Sequence, residues 1–592
     1  MTEASQKIDT AEKREPRIGV FVCHCGHNIA GVVDVEEVSE KAKSLPGVVF
    51  STHEMFMCAD AGQQLIKDKI DELKLNRVVV ASCSPRMHEP TFRRVCESAG
   101  LNRYLFEQVN LREHVSWCHM RQPEAATEKA WDLVRMAVAR ARQLDELPIK
   151  QVDVTPRTLV VGGGIAGLRA ALDIADRGFE AVLVEKEPEL GGHVRKWTHL
   201  FPADESGAQV ISPLIRHVER HKLIDVMTNS KVAEFGGYIG NFDVKIENLK
   251  THKTKTVQVG TVVVATGFRP FEPEGYYAYE QSENIVTLAQ LQELPPRAEL
   301  RRPSDGRIVK KLAFIGCVGS REPGKKGHEH CSRHCCSAVA QASADLKDRV
   351  DEVLILYQDI RTYGRGHEEL HRLALSKHVI YSKFPREEKP TVHVDDDGNI
   401  KVTWTDVLTG DQLEFEPELL VLATAMIPPD DVAETANLFS LTRSGDGFFN
   451  PEHIKLAPLT THTAGVMIAG AAQAAKNASE SVIDASGAAA KAVGLMARGK
   501  VEIESTVSHV IPELCSACHT CITCCPYGAI AMDEEHDPPV AYVTEAKCHG
   551  CGTCAAACPS NAIIMYHSTD NQIMAMIEAY LCPTDMEQQG GN

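Results

Sequence analysis

Short apolar runs alternate with amphipathic stretches along most of this chain, the pattern of α/β domains built on parallel sheets. RIGVFVC (from Arg17), VVFSTHE and NRVVVASC read as strands, with helices over about Asp34–Leu45 and Gly62–Leu73 between them. Thr127–Leu147 carries Trp131, Val134, Val138 and Ala141 on one helical face. It is expected to link a first domain to a second across PIKQVDVTPR. From Thr158 to Val161 another strand runs into a Gly-rich turn, a helix and a further strand. A β-meander is expected over about Ile224–Val259, then the strand TVVV, the strand of KLAFIGCVGSRE (Lys311–Glu322) and VLILYQD. A second meander covers Thr391–Phe415. LLVLATAM follows, and then a strand leading to a long Ala-rich helix. Past about Val501 the chain turns to closely spaced cysteines.

At 592 residues the chain has room for about three to five domains. Its 43% hydrophobic and 24% charged residues are ordinary for a globular protein. A net charge of −18 argues against nucleic acid or an anionic membrane as partner. No apolar run approaches the ~20 residues of a membrane span. MTEASQKIDTAEKREPR is polar and shows no signal peptide, and residues 1–17 read as a disordered lead. The outlier is twenty cysteines. Their CxxC spacings favour metal ligands in a reducing, oxygen-poor cytoplasm over disulfides.

Three sets of residues carry chemistry. The first is Gly162-x-Gly164-x-x-Gly167, with Ile165 and Ala166 opening the helix and Glu185 following 18 residues after Gly167. Gly162 permits the tight turn, Gly164 lets the backbone approach a pyrophosphate, and Gly167 lets helix and strand pack closely. The helix N-terminus favours phosphate, and Glu185, followed by Lys186, is placed to accept from a ribose. Gly192 and His193 in GGHVRKW, and the Ala265-Thr266-Gly267 turn, resemble flavin-side segments of two-dinucleotide-domain flavoproteins. FAD is therefore the expected ligand. Gly470, Ala471, Ala472 and Ser479 match the second flavin motif of that superfamily by position, although its members usually have Asp where Ala471 stands. The helix start near Lys476–Ser481 would face the flavin pyrimidine edge.

The second set is Cys317-x13-Cys331-x3-Cys335-Cys336, on what should be the second nucleotide-binding turn. Adjacent cysteines beside a C-x3-C suit a 4Fe–4S cluster, which would fill the place of a nicotinamide nucleotide. The third set is a repeat. Cys515-x2-Cys518-x2-Cys521-x3-Cys525-Pro is followed by Cys548-x2-Cys551-x2-Cys554-x3-Cys558-Pro, the spacing of a bacterial two-cluster ferredoxin. Its fourth cysteines cross over, so Cys515, Cys518 and Cys521 pair with Cys558, and Cys548, Cys551 and Cys554 with Cys525. A zinc ribbon is the alternative. Near the N-terminus, Cys23, Cys25, Cys58 and Cys83 sit at strand ends or turns, and spacing leaves open a cubane site or scattered buried thiols. Cys96 and Cys118 read as structural, and Cys524 and Cys582 stay unassigned.

VCHCGHNIAGVVDVEEV, VVVASCSPRMHEPTFRR, LVVGGGIAGLRAALDIADRG, the CSRHCC segment and GAAQAAKNASESVIDASGAAAKA together resemble the family of A-type heterodisulfide reductase subunits, over about Arg17 to Tyr566. The resemblance implies that the N-terminal cysteines are a cluster set. The expected architecture is thus α/β: a two-dinucleotide-binding-domain, thioredoxin-reductase-like flavoprotein over 149–500, after an N-terminal α/β iron–sulfur domain with linker helix over 18–148. A two-cluster ferredoxin domain and tail occupy 501–592. The expected cofactors are FAD and four 4Fe–4S clusters, with no catalytic residue beyond the flavin.

The resemblance further implies an oxidoreductase subunit of the CoB–CoM heterodisulfide reductase type, with electron bifurcation or confurcation at FAD. Implied partners are B- and C-type subunits, one bearing the disulfide site, a hydrogenase, formate or NADH dehydrogenase module, and ferredoxin. A homodimer within a larger complex is expected. The competing readings are a non-bifurcating conduit of another anaerobic reductase, such as a benzoyl-CoA-reductase-type complex, and an NAD(P)H-dependent flavin reductase. Two departures stand out. Larger members carry an inserted ferredoxin near GYIGNFDV, which makes this a short form, and they tend to have Lys where this chain has Gln341.

Overall fold

The computed structural model describes residues 15–202, 205–294, 299–322 and 327–581. Most of the expected lead, the end of the tail and Cys582 lie outside them. The chain forms two compact units, one joining Met1–Lys150 to Glu502–Asn592 and the other spanning Gln151–Val501.

In the first unit, strands Val48–Glu54, Ile18–Cys23, Arg77–Ser82 and Phe106–Asn110 lie in that order, all parallel. The central pair is apolar without alternation because helices cover both faces, and Ile18, Val20, Val22, Val78 and Val80 are fully buried. The helix expected from Thr127 runs over Pro123–Ala141. It starts at a proline suited to a first helical turn and buries Ala130, Val134 and Val138 in this domain's own core. The residues after Ala141 leave the helix, so its role is packing as well as linkage.

The C-terminal part repeats itself. Ribbon Ser508–Val510/Ile563–Met565 and ribbon Ile530–Asp533/Val540–Val543 are each antiparallel, with short helices Thr520–Cys524 and Thr553–Ala557. It is joined to the N-terminal domain by buried polar contacts. Arg140 pairs with Glu107 at 2.7 Å and donates to the carbonyl of His567. The His567 ring contacts the Tyr104 carbonyl at 2.8 Å through Nε2, while Arg140 approaches Nδ1 at 3.2 Å. Gln572, on the helix Asp570–Leu581, donates to the Gln143 carbonyl at 3.0 Å.

The second unit is a duplicated plan. One parallel sheet has the order Val466–Ile468, Thr261–Val264, Arg157–Val161, Glu180–Val184, Ile224–Met227. The other has Ile285–Thr287, Leu419–Thr424, Lys311–Val318, Glu352–Tyr357, Ile380–Lys383. Each is accompanied by a three-stranded antiparallel meander. The first meander starts at Ser230 rather than Ile224. Ile224–Met227 returns from the helix Gly207–Arg220 to extend the parallel sheet, as a βαβ crossover does. Where larger relatives are expected to carry an insertion, the chain closes a tight hairpin between Tyr238 and Asn241. Among the described residues no helix is long and apolar enough to cross a membrane.

Burial and the Arg140 charge hold His567 down to about 4, against about 6.5 for a free imidazole. The unfolded chain therefore binds the proton first. The contribution is complete above about 6.5 and is lost as pH falls toward about 4. Acidification across that window is expected to speed amide exchange in Asp570–Leu581. Arg140→Ala strips Glu107 of its buried partner and should weaken this packing by about 3 kcal/mol, near 100-fold in exchange at neutral pH. Hydrogen-exchange mass spectrometry measures both.

Candidate functional site

A cavity of 640 Å³ opens at the carboxyl edge of the first sheet in the second unit, where strand order reverses beside Arg157–Val161. Gly162, Gly164, Ile165, Ala166, Glu185, Lys186, Gly192, His193, Ala265, Thr266, Gly267 and Ala471 all line it. The glycines differ in what they do. Gly162 has φ +106°, and a Cβ there would lie 2.4 Å from the Ala265 carbonyl oxygen. A Cβ on Gly167 would meet the Gly162 carbonyl oxygen at 1.8 Å, so this residue is required by packing and is not itself in the lining. At Gly164 a Cβ would meet nothing within 4 Å, leaving the backbone open to the cavity.

Glu185 is buried. Its Oε2 accepts from Gly163 N–H at 2.6 Å and its Oε1 from Glu187 N–H at 2.8 Å, which fixes the carboxylate at the end of its strand. Lys186 pairs with Asp431 at 2.8 Å. His193 Nε2 donates to the Phe268 carbonyl at 2.9 Å, and burial holds its pKa below the ordinary value, so the ring is neutral. Gly192–Lys196 is a single 3-10 turn.

At the far wall the helix Ala478–Met496 begins with a capping box. Asn477 accepts from Glu480 N–H at 2.8 Å, and Glu480 accepts from Asn477 N–H at 3.1 Å. Lys476, Asn477, Ala478 and Ser481 face the cavity, whereas Gly470, Ala472 and Ser479 are not among its lining residues. The cap decides this. A helix starting at Ala478 turns position 481, not 479, inward. Gln341 is also outside the lining. It is buried and its amide donates to Asp345 at 3.0 Å.

The same cavity reaches the second cysteine set. His334, between Cys331 and Cys335, lines it, as do Ala338, Thr424 and Met426. The segment is pinned there because Ser332 Oγ accepts from Met426 N–H and His330 donates to the Met426 carbonyl, both at 2.9 Å. Cys335 and Cys336 open the helix Cys335–Lys347, whose positive end favours thiolates. Cys317 sits at a bulge in Lys311–Val318 with φ +62°. Burial and then Cys336 push Cys317 up to about 11, with Arg321 opposing, and burial raises Cys335 well above its ordinary value. A bound metal would be what turns such thiols into thiolates.

In the first unit, one small cavity is lined by Cys515, Cys518, Cys521 and Cys558, and a second by Cys525, Cys548, Cys551 and Cys554. Backbone N–H groups point at sulfur in a repeated way, Ala529 to Cys525 at 3.4 Å and Ala562 to Cys558 at 3.3 Å. Cys524 donates instead to the Cys521 carbonyl.

At the N-terminal sheet Cys23 ends the strand Ile18–Cys23 and Cys25 follows it. Cys83 follows its neighbour and Cys58 the strand on its other side. Cys23 Sγ accepts from Cys25 N–H at 3.3 Å and Met57 N–H at 3.4 Å. Cys83 is pushed up to about 12 by burial, with Cys25, Cys23 and Cys58 all contributing. Cys96 is in the apolar core, and Cys118 is exposed with its thiol donating to the Glu113 carbonyl. No three His, Cys, Asp or Glu side chains among the described residues are arranged around one metal ion. A cubane makes a different demand, since each thiolate meets its own iron. Sequence reasoning placed the helix start near Lys476–Ser481 at the flavin and named Ser479, where the cavity has Ser481; it missed His334, whose local signal is its place among the cysteines.

The pyridine nucleotide-disulphide oxidoreductase family model matches residues 156–489, and a 4Fe-4S dicluster domain matches 514–562. An A-type iron-sulfur subunit of CoB–CoM heterodisulfide reductase from Methanopyrus kandleri is 39% identical over 88% of this chain and 92% of its own. The A-type subunit of the H(2):CoB-CoM heterodisulfide,ferredoxin reductase from Methanothermobacter marburgensis is 40% identical over 98% and 99%. That alignment spans 661 positions, more than this chain has, so the relative carries residues absent here. The A-type subunit of the H(2)/formate:CoB-CoM heterodisulfide,ferredoxin reductase from Methanococcus maripaludis is 34% identical over 97% and 100%.

Gly164→Ala is expected to fold with unchanged thermal stability yet hold FAD at least ~10-fold more weakly, because its methyl group occupies cavity space. Gly167→Ala should fail to fold. Flavin released on denaturation and thermal melting distinguish the two.

Proposed function

The chain belongs to the family of A-type heterodisulfide reductase subunits, and from that premise we propose that it distributes electrons between a donor module, ferredoxin and a partner disulfide reductase. It is a flavin and iron–sulfur oxidoreductase subunit. The observation that carries the proposal is the shared wall at His334, where the nucleotide-type cavity meets the segment of Cys331, Cys335 and Cys336, with Cys317 beside them. When bound, FAD supplies the exchange between two-electron and one-electron chemistry, and 4Fe–4S clusters carry single electrons.

The chain's own residues bind and orient. Gly164 and the start of the helix Ile165–Ala175 would hold the pyrophosphate, and Glu185 the ribose. The cap at Asn477 would present a positive helix end and Lys476 to the flavin ring. Four cubanes would occupy the Cys23 set, the Cys317 set and the two ferredoxin cages. Cys317 fills the turn where a second dinucleotide would dock, which disfavours direct NAD(P)H oxidation. The disulfide site would lie on a partner of the B or C type. Hydrogenase, formate or NADH dehydrogenase is the donor class, and the names of the relatives mention H(2) and formate. A homodimer within a larger cytoplasmic complex completes the reading.

A simple relay without bifurcation is the second reading, and Gln341 favours it because a neutral side chain bonded to Asp345 supplies no cation.

Anaerobically prepared protein is expected to hold one FAD and about sixteen irons with matching sulfide. Half that iron would remove the N-terminal and Cys317 sets from the proposal. Flavin bleaching by NADH with the purified chain alone would overturn it in favour of a direct reductase, and the proteins that co-purify separate branching from relay.

A further inference from the structure

We propose that Arg112 sets the reduction potential of a cluster held by Cys23, Cys25, Cys58 and Cys83. This rests on the reading of those cysteines as a cluster set. Arg112 opens a π-helical turn, Arg112–Ser116, immediately beyond the strand Phe106–Asn110, and such turns recur at functional sites. Asn110 Oδ1 accepts from Glu113 N–H at 3.0 Å, and Ser116 Oγ donates to the Asn28 carbonyl at 2.6 Å, which ties the turn to the cysteine loop.

The guanidinium is held on several sides. Nε and Nη2 donate to Glu113 Oε1 at 3.1 and 2.8 Å, and Nη2 lies 3.6 Å from the Met87 sulfur. Trp117 lies 5.0 Å from it, ring centroid to carbon. Nη1 is left directed at Cys25 Sγ, 3.6 Å away. With the side chain only 15% exposed, solvent screens this charge little. Arginine stays protonated, so the charge is permanent.

His24 Nε2 lies 2.8 Å from His53 Nδ1 on the neighbouring strand. The ferredoxin cysteines are served differently, by hydroxyls: Thr520 at Cys518, Thr553 at Cys551 and Ser560 at Cys558. Reduction adds one electron, supplied by an external reductant, with no bond made or broken. A fixed cation at the sulfur stabilises the added negative charge and raises the potential, while Glu113 opposes it.

The test is an anaerobic, mediated dithionite titration of the full chain followed by electron paramagnetic resonance, with iron and flavin counted. Cys25→Ser identifies the wave belonging to this set by removing or altering it. Arg112→Gln should keep its iron and move that wave alone to more negative potential, with Arg112→Lys restoring most of the shift. Glu113→Gln should move the same wave the opposite way. An unmoved wave in Arg112→Gln, a shift of the same sign in Glu113→Gln, or loss of iron from both variants would overturn the role of Arg112. If Cys25→Ser leaves every wave and the iron count unchanged, the cluster reading itself fails.

Discussion

The structure depends on one geometric constraint, the open carboxyl edge beside the central strand of a parallel sheet. Strand order reverses there, so the loops from neighbouring strands diverge and leave a crevice. The chain has three such edges among its described residues. In the first unit the edge gathers Cys23, Cys25, Cys58 and Cys83 from three strands. In the second unit one edge forms the 640 Å³ cavity, and the other carries Cys317.

The two edges of the second unit show how one plan accepts two chemistries. After Arg157–Val161 the chain turns through Gly162 and enters a helix at once, leaving the helix N-terminus open to the cavity. Lys311–Val318 ends in a bulge that holds a cysteine with positive φ, and the helix is delayed until Cys335. The helix dipole that would meet a phosphate then meets thiols. His334 belongs to both places, because the segment that delivers the cysteines is anchored to Met426, itself in the cavity wall.

Burial and charge work together at these edges. The thiols of Cys83, Cys317 and Cys335 are raised by desolvation, so the folded protein does not favour thiolates without metal. Arginines lie beside two of the sets, Arg112 at Cys25 and Arg321 at Cys317, each paired with a carboxylate. The same logic without metal operates where Arg140 holds Glu107 and His567, joining the ferredoxin part to the N-terminal domain.

The sequence by itself determined most of the parallel strands, the glycine turn and the grouping of the C-terminal cysteines, because each is written in a local period or spacing. Apolar runs without alternation mark strands covered on both faces, and the C-x2-C-x2-C-x3-C-P repeat determines which cysteines face one cavity. Tertiary structure decided what depends on strand order and helix phase. Strand order brings Cys58 and Cys83 to the sheet edge of Cys23, and neither lies within a readable spacing of it. The cap at Asn477 selects Ser481 over Ser479. Ile224–Met227 pairs with Glu180–Val184 instead of opening a meander, since the helix before it returns the chain to the sheet. Arg112 reaches Cys25 from 87 residues away. Such contacts are set by how elements pack, and no period along the chain encodes them.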